Sequence, residues 1–212
     1  MLWRSRSDMK KAIADLNHRF ITGSRTQRWP FVFCFMDKTV LPGDKLQVFA
    51  FEDDYSFGIM QGKSHLVWYS AKAARLKNEE DYNYSSESVF ETYAWPQNPS
   101  ISQIEDIARA GRDVRKVRQE AIGRISGGLR SVYNTLELPG KNPLKDAHAA
   151  LDAAVLAAYG FSPKKDLLAQ LLALNLEVAR REEAGEPVTA PGIPPGYPDP
   201  ARLVTEDCIR AD

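Results

Sequence analysis

The pattern of apolar residues changes at one proline-rich segment, Tyr93-Ala-Trp-Pro-Gln-Asn-Pro99. Before it, two short runs rich in aromatic and β-branched residues, 30–36 and 45–51, predict strands, and the turn signal Leu41-Pro-Gly-Asp44 separates them. After it, apolar residues recur at helical spacing in a long segment that Ser100 is placed to cap. The pattern predicts an α+β protein.

Helical spacing predicts further helices on both sides of this boundary. An amphipathic helix is expected at 7–21 and another at 63–74, and two more at 144–159 and 164–183 follow the long helix. The run 57–60 fits either a third short strand or the start of a helix. The pair Gly127-Gly128 is interpreted as the end of the long helix.

These elements predict three parts. Residues 1–96 are expected to form a small mixed β-sheet domain with flanking helices, and residues 97–184 an α-helical domain. Proline and glycine accumulate from residue 185, so 185–212 is predicted to be a flexible tail.

Charge is balanced overall but not along the chain. The 28 Lys and Arg residues equal the 28 Asp and Glu residues, so the whole molecule lacks the basic field of a strong non-specific nucleic-acid binder. Residues 1–40 carry eight basic and three acidic side chains, whereas 41–95 carry five basic and nine acidic ones. Any contact with a phosphate backbone is therefore expected to be local, in the first third of the chain.

Two distant cysteines, Cys34 and Cys208, form neither a disulfide framework nor a metal-ligand cluster, which favours a reducing compartment. No run reaches the ~18 apolar residues of a membrane span, and the first residues lack the apolar core of a signal peptide. A cytoplasmic protein without membrane contact is expected.

Several stretches occur in the order typical of one enzyme family. They are Arg19-Phe20-Ile21, then Leu41-Pro and FEDDYSFGIMQGKSH at 51–65, then FETYAWP at 90–96, and finally HAALDAAVLAAYG at 148–160 with LLALN at 171–175. The ordered set resembles the carboxy-terminal part of MmeI-like type II restriction-modification DNA methyltransferases. One departure is Gly62, where the family often has serine before a histidine and a tryptophan.

The resemblance implies a DNA target-recognition segment followed by a terminal helical region. Such a segment supplies the base contacts that define a recognition sequence in double-stranded DNA. The full enzyme would use S-adenosylmethionine, and a methyltransferase core would come from a longer parent chain or a separate subunit.

The methyltransferase motif itself is missing from this sequence. An adenine-N6 or cytosine-N4 methyltransferase needs an Asp/Asn-Pro-Pro-aromatic turn, and neither Asn142-Pro-Leu144 nor Asp199-Pro-Ala201 provides one. A glycine-rich loop between a strand and a helix is not found either. We therefore expect no cofactor in this chain, and its status as an enzyme stays open.

The candidate DNA contacts are basic side chains in the first domain. An arginine fork matches the O6 and N7 atoms of guanine, whereas lysine mainly provides charge to a phosphate. A histidine at a helix start can reach a phosphate or a base edge, although a packed histidine is an equal alternative. The predicted DNA-binding residues are Arg19, Arg25, Arg28, Lys63, His65, Arg75 and Lys77. The basic cluster from Arg109 to Arg118 could contact the DNA backbone, but a solvated helix face is the favoured interpretation.

Two other functions are considered. The chain could be a protein-interaction module or orphan remnant that docks on a methyltransferase subunit, which exposed apolar surface on the helical part would favour. Asp53 or Asp54 followed by Gln61-Gly-Lys63 also echoes a metal-dependent nuclease, but a solvated acidic turn is the favoured interpretation.

Overall fold

The computed structural model describes residues 6–28, 30–75 and 81–210, and it has the α+β architecture that the sequence predicts. The strands are β1 (Arg19–Ser24), β2 (Thr26–Gln27), β3 (Phe33–Asp37), β4 (Leu46–Phe49), β5 (Ala74–Arg75) and β6 (Tyr82–Asn83). The helices are α1 (Arg6–Ala14), α2 (Asp54–Gln61), α3 (Lys63–Lys72), α4 (Ile101–Ile122), α5 (Gly128–Asn134), α6 (Pro143–Tyr159) and α7 (Leu167–Glu183). A π-helical turn covers Ser86–Phe90, and 3₁₀ turns cover Thr135–Glu137 and Pro200–Leu203. In these described ranges, no helix combines the length and the apolar character that a membrane crossing requires.

The strands form two small sheets. The first has the order β3-β1-β4, and the second has the order β2-β6-β5. All of these strand pairs are antiparallel. The strands predicted from the two apolar runs correspond to β3 and β4.

The predicted first helix is shorter than expected. It ends at Ala14, and the residues from Arg19 onward form β1, the central strand of the first sheet. In that strand Phe20 packs with Ile13 and Val48 on one face, whereas Ile21 enters the main core on the other. Burial on two opposite faces is a property of a strand, and helical spacing could not show it. The ambiguous run 57–60 lies within α2.

The long helix α4 begins as predicted. The Ser100 hydroxyl accepts a hydrogen bond from the backbone N–H of Gln103, and the Gln103 side chain accepts one from the backbone N–H of Ser100. This capping box satisfies two backbone donors that the first turn leaves open. The prediction that Gly127-Gly128 ends α4 is wrong, because α4 ends at Ile122 with Gly123 as its C-cap. The two glycines instead open α5, a short helix that the sequence did not predict.

Helix α4 packs closely on α2 through two glycines. A Cβ atom on Gly58 would lie 2.5 Å from Cγ2 of Ile107, and one on Gly111 would lie 3.2 Å from the carbonyl oxygen of Asp54. The helices approach because neither residue has a side chain. One apolar core consequently contains residues from both sides of the boundary predicted at residue 96, such as Trp68 and Val114.

The tail has little regular structure, as its composition predicts, but it is packed rather than flexible. Leu203 is buried in the main core, and Thr189 exchanges hydrogen bonds with the Gln97 side chain. Near its end, Ile209 donates to the carbonyl oxygen of Phe35 and accepts from the N–H of Asp37. The tail is therefore an additional layer over β3, a relationship that composition cannot show.

Candidate nucleic-acid interface

The second sheet brings together three of the predicted DNA-binding residues. Arg25 lies between β1 and β2, Arg28 follows β2, and Arg75 ends β5. Gln27 and Arg75 both face Tyr82 of the central strand β6, in antiparallel register. The arginines therefore lie on one small sheet although about 50 residues of sequence separate the first from the last.

Local contacts orient these arginines while leaving their side chains exposed. The backbone N–H of Arg25 donates to Lys45 at 2.8 Å, and its carbonyl oxygen accepts from Tyr84 at 2.7 Å. Nε of Arg28 lies 2.6 Å from Oδ1 of Asp81, with half of the arginine side chain exposed. The guanidinium carbon of Arg75 lies 5.3 Å from the ring centre of Tyr82, a cation–π contact. All three side chains are exposed enough to meet a ligand.

A cleft of about 530 Å³ lies beside this sheet, between the edge of β1 and β2 and helix α5. We call it the β2–α5 cleft. Arg28 and Arg130 line it together with polar groups such as Thr26, Gln27 and Asn134. No acidic residue is among the described residues that line it. The cleft therefore offers positive charge and hydrogen-bonding groups at one concave surface.

Lys63 is exposed but belongs to a different place. It begins α3, and its backbone N–H donates to Oδ1 of Asp152 on α6 at 2.7 Å. Burial raises the pKa of Asp152 to about 6. Lys63 lines a smaller depression of about 270 Å³ with His148 and Asp152. Its DNA contact stays a prediction, and Lys77 lies outside the described residues.

His65 is fully buried, so the packed alternative is the one observed. Its Nδ1 lies 2.7 Å from the carbonyl oxygen of Met60, which can only accept, so Nδ1 carries the proton. Its Nε2 then accepts from the Tyr84 hydroxyl at 3.0 Å. Burial lowers the pKa of His65 to about 4, and the ring is neutral at pH 7. A duplex cannot reach His65 in this arrangement, which corrects the predicted direct contact.

Arg19 is also fully buried and cannot touch a duplex directly. Its Nη2 lies 2.7 Å from Oδ1 of Asp54, and its Nη1 lies 2.9 Å from Oδ1 of Asp207. Its Nε donates to the carbonyl oxygen of Glu52, and the guanidinium lies 3.5 Å from the ring centre of Phe35. Arg19 thus joins β1 to α2 and to the tail, and the predicted DNA contact is corrected to a structural role.

Two arginines of α4 are buried as well, against the interpretation as a solvated face. Arg115 and Arg118 are 9% and 4% exposed. Arg115 pairs with Asp54 and Asp207, and Arg112 pairs with the other oxygen of Asp54. A signal was present, because Arg115 and Arg118 continue the helical spacing of three buried residues. These are Ile104, Ala108 and Gly111.

The residues of the nuclease-like pattern have structural roles. Asp53 caps α2 by accepting from the N–H of Ser56 at 2.7 Å, and burial raises its pKa to about 6. Gln61 holds β3, because its side chain accepts from the N–H of Phe33 and donates to the carbonyl oxygen of Phe31. In the part of the chain that the structure describes, no group of three or more His, Cys, Asp or Glu residues is arranged to hold a metal ion.

Comparison with known proteins gives a family match that includes the second sheet. The family described as "MmeI, target recognition domain" matches residues 4–97, which include the second sheet. DNA methyltransferase A of Bacillus subtilis (strain 168) is 32% identical over 130 residues, which are 60% of this chain and 14% of that protein. The chain therefore spans only a small part of this curated relative.

A solved structure shares the fold. It is the type IIL restriction-modification enzyme MmeI in complex with DNA, which superposes with a TM-score of 0.68 at 23% identity. The match covers 78% of this chain and 22% of that enzyme. At this identity the likeness concerns the fold, whereas the family match concerns the sequence. Residues 4–97 of this chain are therefore similar in sequence to the MmeI target recognition domain, and the chain shares the fold of the solved MmeI enzyme.

Proposed function

We propose that this chain recognises a specific DNA sequence as the target-recognition part of a restriction-modification adenine-N6 DNA methyltransferase. The observation that carries this proposal is the placement of Arg25, Arg28 and Arg75 on one exposed sheet within the matched region. The solved MmeI structure that shares the fold holds DNA, which supports the same function.

The second sheet is a small antiparallel element of three two-residue strands. The major groove admits a narrow β-ribbon, and an arginine fork there distinguishes guanine from the other bases. Arg25 and Arg75 would read base edges. Arg28 and Arg130 would hold the phosphate backbone along the β2–α5 cleft, since both line it.

Selection from a library of randomised duplexes tests the specificity. The protein should enrich one motif, and replacing Arg25 or Arg75 with Ala should each relax one position of it, whereas Arg28→Ala should leave the motif unchanged. Each lost bidentate base contact should cost ~1–3 kcal/mol, whereas a lost phosphate contact should weaken all duplexes alike and reduce the salt dependence.

Arg202→Ala is the matched control. Arg202 is an exposed arginine on the 3₁₀ turn Pro200–Leu203, outside the matched region, and it approaches Glu105 at 4.0 Å. This variant should select the same motif as the wild type. Selection of no motif by the wild type, or an unchanged motif in both the Arg25 and the Arg75 variants, would contradict the proposal.

The remaining parts of the enzyme belong to the same proposal. DNA methyltransferase A is much longer than this chain, so a methyltransferase core that binds S-adenosylmethionine would act beside it. DNA is then the substrate of the assembled enzyme. The assembled enzyme would be located in the cytoplasm. Adding such a core to the chain should yield methylation within the selected motif, and this methylation should fail with the Arg25 and Arg75 variants.

Docking on a methyltransferase subunit without DNA contact is the second candidate function. Leu172 and Leu176 of α7 are 44% and 63% exposed. They are four positions apart in the sequence, so they lie on one face of the helix. Replacing both with Glu should abolish co-purification with a methyltransferase core if this face is the docking surface. If the isolated chain selects a DNA motif, docking on a methyltransferase subunit without DNA contact is rejected as its function.

A further inference from the structure

A second concave site lies against α4. It is a cavity of about 840 Å³ between β3, α4 and the tail. We call it the α4 cavity. Cys34, Leu129 and Ile209 line both it and the β2–α5 cleft, so the two are adjacent.

Buried arginines in this cavity have hydrogen-bond donors that nothing in the described chain uses. Arg118 is 4% exposed, and its Nη1 donates to the carbonyl oxygen of Phe33 at 2.8 Å. Its Nε and Nη2 make no hydrogen bond with the described residues, and neither does Nη1 of Arg115. Buried N–H groups without an acceptor are costly, most of all on a charged group. These donors favour a ligand that accepts hydrogen bonds.

The charge of Arg118 is also not neutralised by a carboxylate. Arg19 and Arg115 share Asp54 and Asp207, whereas Arg118 forms no ion pair with any described residue. Its guanidinium instead lies over aromatic rings, 5.6 Å from the centre of Phe57 and 5.1 Å from that of Tyr133. The Tyr133 hydroxyl interacts with Arg118 and also lies 2.9 Å from Nε2 of His148.

Together with Arg115 and Arg118, the described lining has five basic and three acidic residues. Arg112, Lys116 and Arg210 add positive charge, and Glu120, Glu206 and Asp207 are the acidic residues among the described ones that line the cavity. A buried cation with open donors is stabilised by an anion, and a guanidinium fork fits the paired oxygens of a phosphate group. We propose that the α4 cavity binds a phosphate group through Arg115 and Arg118.

Two sources could supply that phosphate. One is the backbone of a DNA duplex that lies along the adjacent cleft, and this source depends on the proposed function. The other is free inorganic phosphate, and this source does not depend on the proposed function. The chemistry of the site is the same in both cases.

Isothermal titration of the full chain with sodium phosphate, at an ionic strength held constant with sodium chloride, tests the site. The wild type should bind phosphate saturably, and Arg118→Gln should weaken binding by about tenfold or more, the effect of one charge-assisted hydrogen bond. Arg109→Gln is the control on the same helix, because Arg109 is exposed and pairs with Asp106. Its affinity for phosphate should equal that of the wild type.

Two further arms keep the proposal falsifiable. If Arg118→Gln does not fold, Lys116→Gln should still weaken phosphate binding in a folded protein, because Lys116 lines the cavity. Duplex DNA should compete with phosphate if the backbone is the source, and should not if free phosphate is. Absence of saturable phosphate binding by the wild type overturns the proposal even if the protein selects a DNA motif. Saturable binding with no motif selection leaves the phosphate site standing and removes the proposed function.

Discussion

The Asp54 carboxylate and the Arg115 guanidinium form a buried ion pair of 2.7 Å, although the two residues lie 61 positions apart in the sequence. Arg19 reaches the same carboxylate oxygen at 2.7 Å, and Arg112 reaches the other oxygen at 3.0 Å. This single carboxylate joins β1, α2 and α4, so the DNA-recognition segment and the helical segment share one electrostatic centre.

Asp54→Ala should destabilise the protein strongly. The substitution leaves buried guanidinium groups without their shared carboxylate, and breaking a buried ion pair from one side typically costs about 3–5 kcal/mol. Urea unfolding followed by circular dichroism measures the change. Asp106→Ala is the control, because Asp106 pairs with Arg109 at the surface and should contribute little. Equal stability of the two variants would show that the Asp54 network is not important for folding.

Gly58→Ala should destabilise the protein although alanine is the better helix former. Its Cβ atom would lie 2.5 Å from Cγ2 and 3.0 Å from the carbonyl oxygen of Ile107, so α2 and α4 would have to separate. Overpacking of this kind costs about 1–3 kcal/mol. Gly43→Ala is the matched control, because a Cβ atom there meets nothing within 4 Å. Thermal unfolding should separate the two variants, and similar melting temperatures would refute the close packing.

Acid should destabilise the wild type more than it destabilises the His65→Gln variant. Burial lowers the pKa of His65 from 6.5 to about 4, so the unfolded chain takes up a proton first as the pH falls. The stability that the neutral ring provides is therefore complete above pH 6.5 and is lost as the pH falls toward 4. At pH 5 the loss relative to pH 7 should be about 2 kcal/mol larger in the wild type than in the variant.

The comparison at each pH removes other titrating groups. Burial raises the pKa values of Asp53 and Asp152 to about 6, so these carboxyls stabilise the fold below their folded pKa and act in the opposite direction. They are present in both proteins and cancel in the difference. His18→Gln changes an exposed histidine. The dependence of its free energy of unfolding on pH should equal that of the wild type. Parallel profiles of the wild type and His65→Gln would show that His65 is not held neutral.

Leu203→Ala should show that the tail is part of the folded core. Leu203 is 2% exposed, and truncation of a buried leucine costs about 2–5 kcal/mol through lost burial and the remaining cavity. Leu138→Ala, at a leucine that is 61% exposed, is the control. Chemical denaturation measures both, and a Leu203 variant as stable as the Leu138 variant would mean that the tail packs only weakly.

Short-range chemistry made several features predictable from the sequence. The aromatic and β-branched runs predicted β3 and β4, Ser100 predicted the start of α4, and the ordered family motifs predicted the target recognition domain. Arg25, Arg28 and Arg75 could be named individually as candidate basic contacts. Each of these inferences depends on residues that are neighbours in the chain or on a motif that the family keeps in order.

Only the tertiary structure decided which basic residues face solvent. Arg19, Arg115 and Arg118 have the same side chain as Arg25, but their partners come from segments 33 to 188 residues away. Helical spacing places Arg115 and Arg118 on the buried face of α4, but it does not identify those partners. The second sheet depends on the pairing of β2 and β5 with β6, and the packed tail depends on β3 and α4. Hydrogen bonds and ion pairs between distant segments form when the chain closes on its core, so a linear pattern of charge and hydropathy does not determine them.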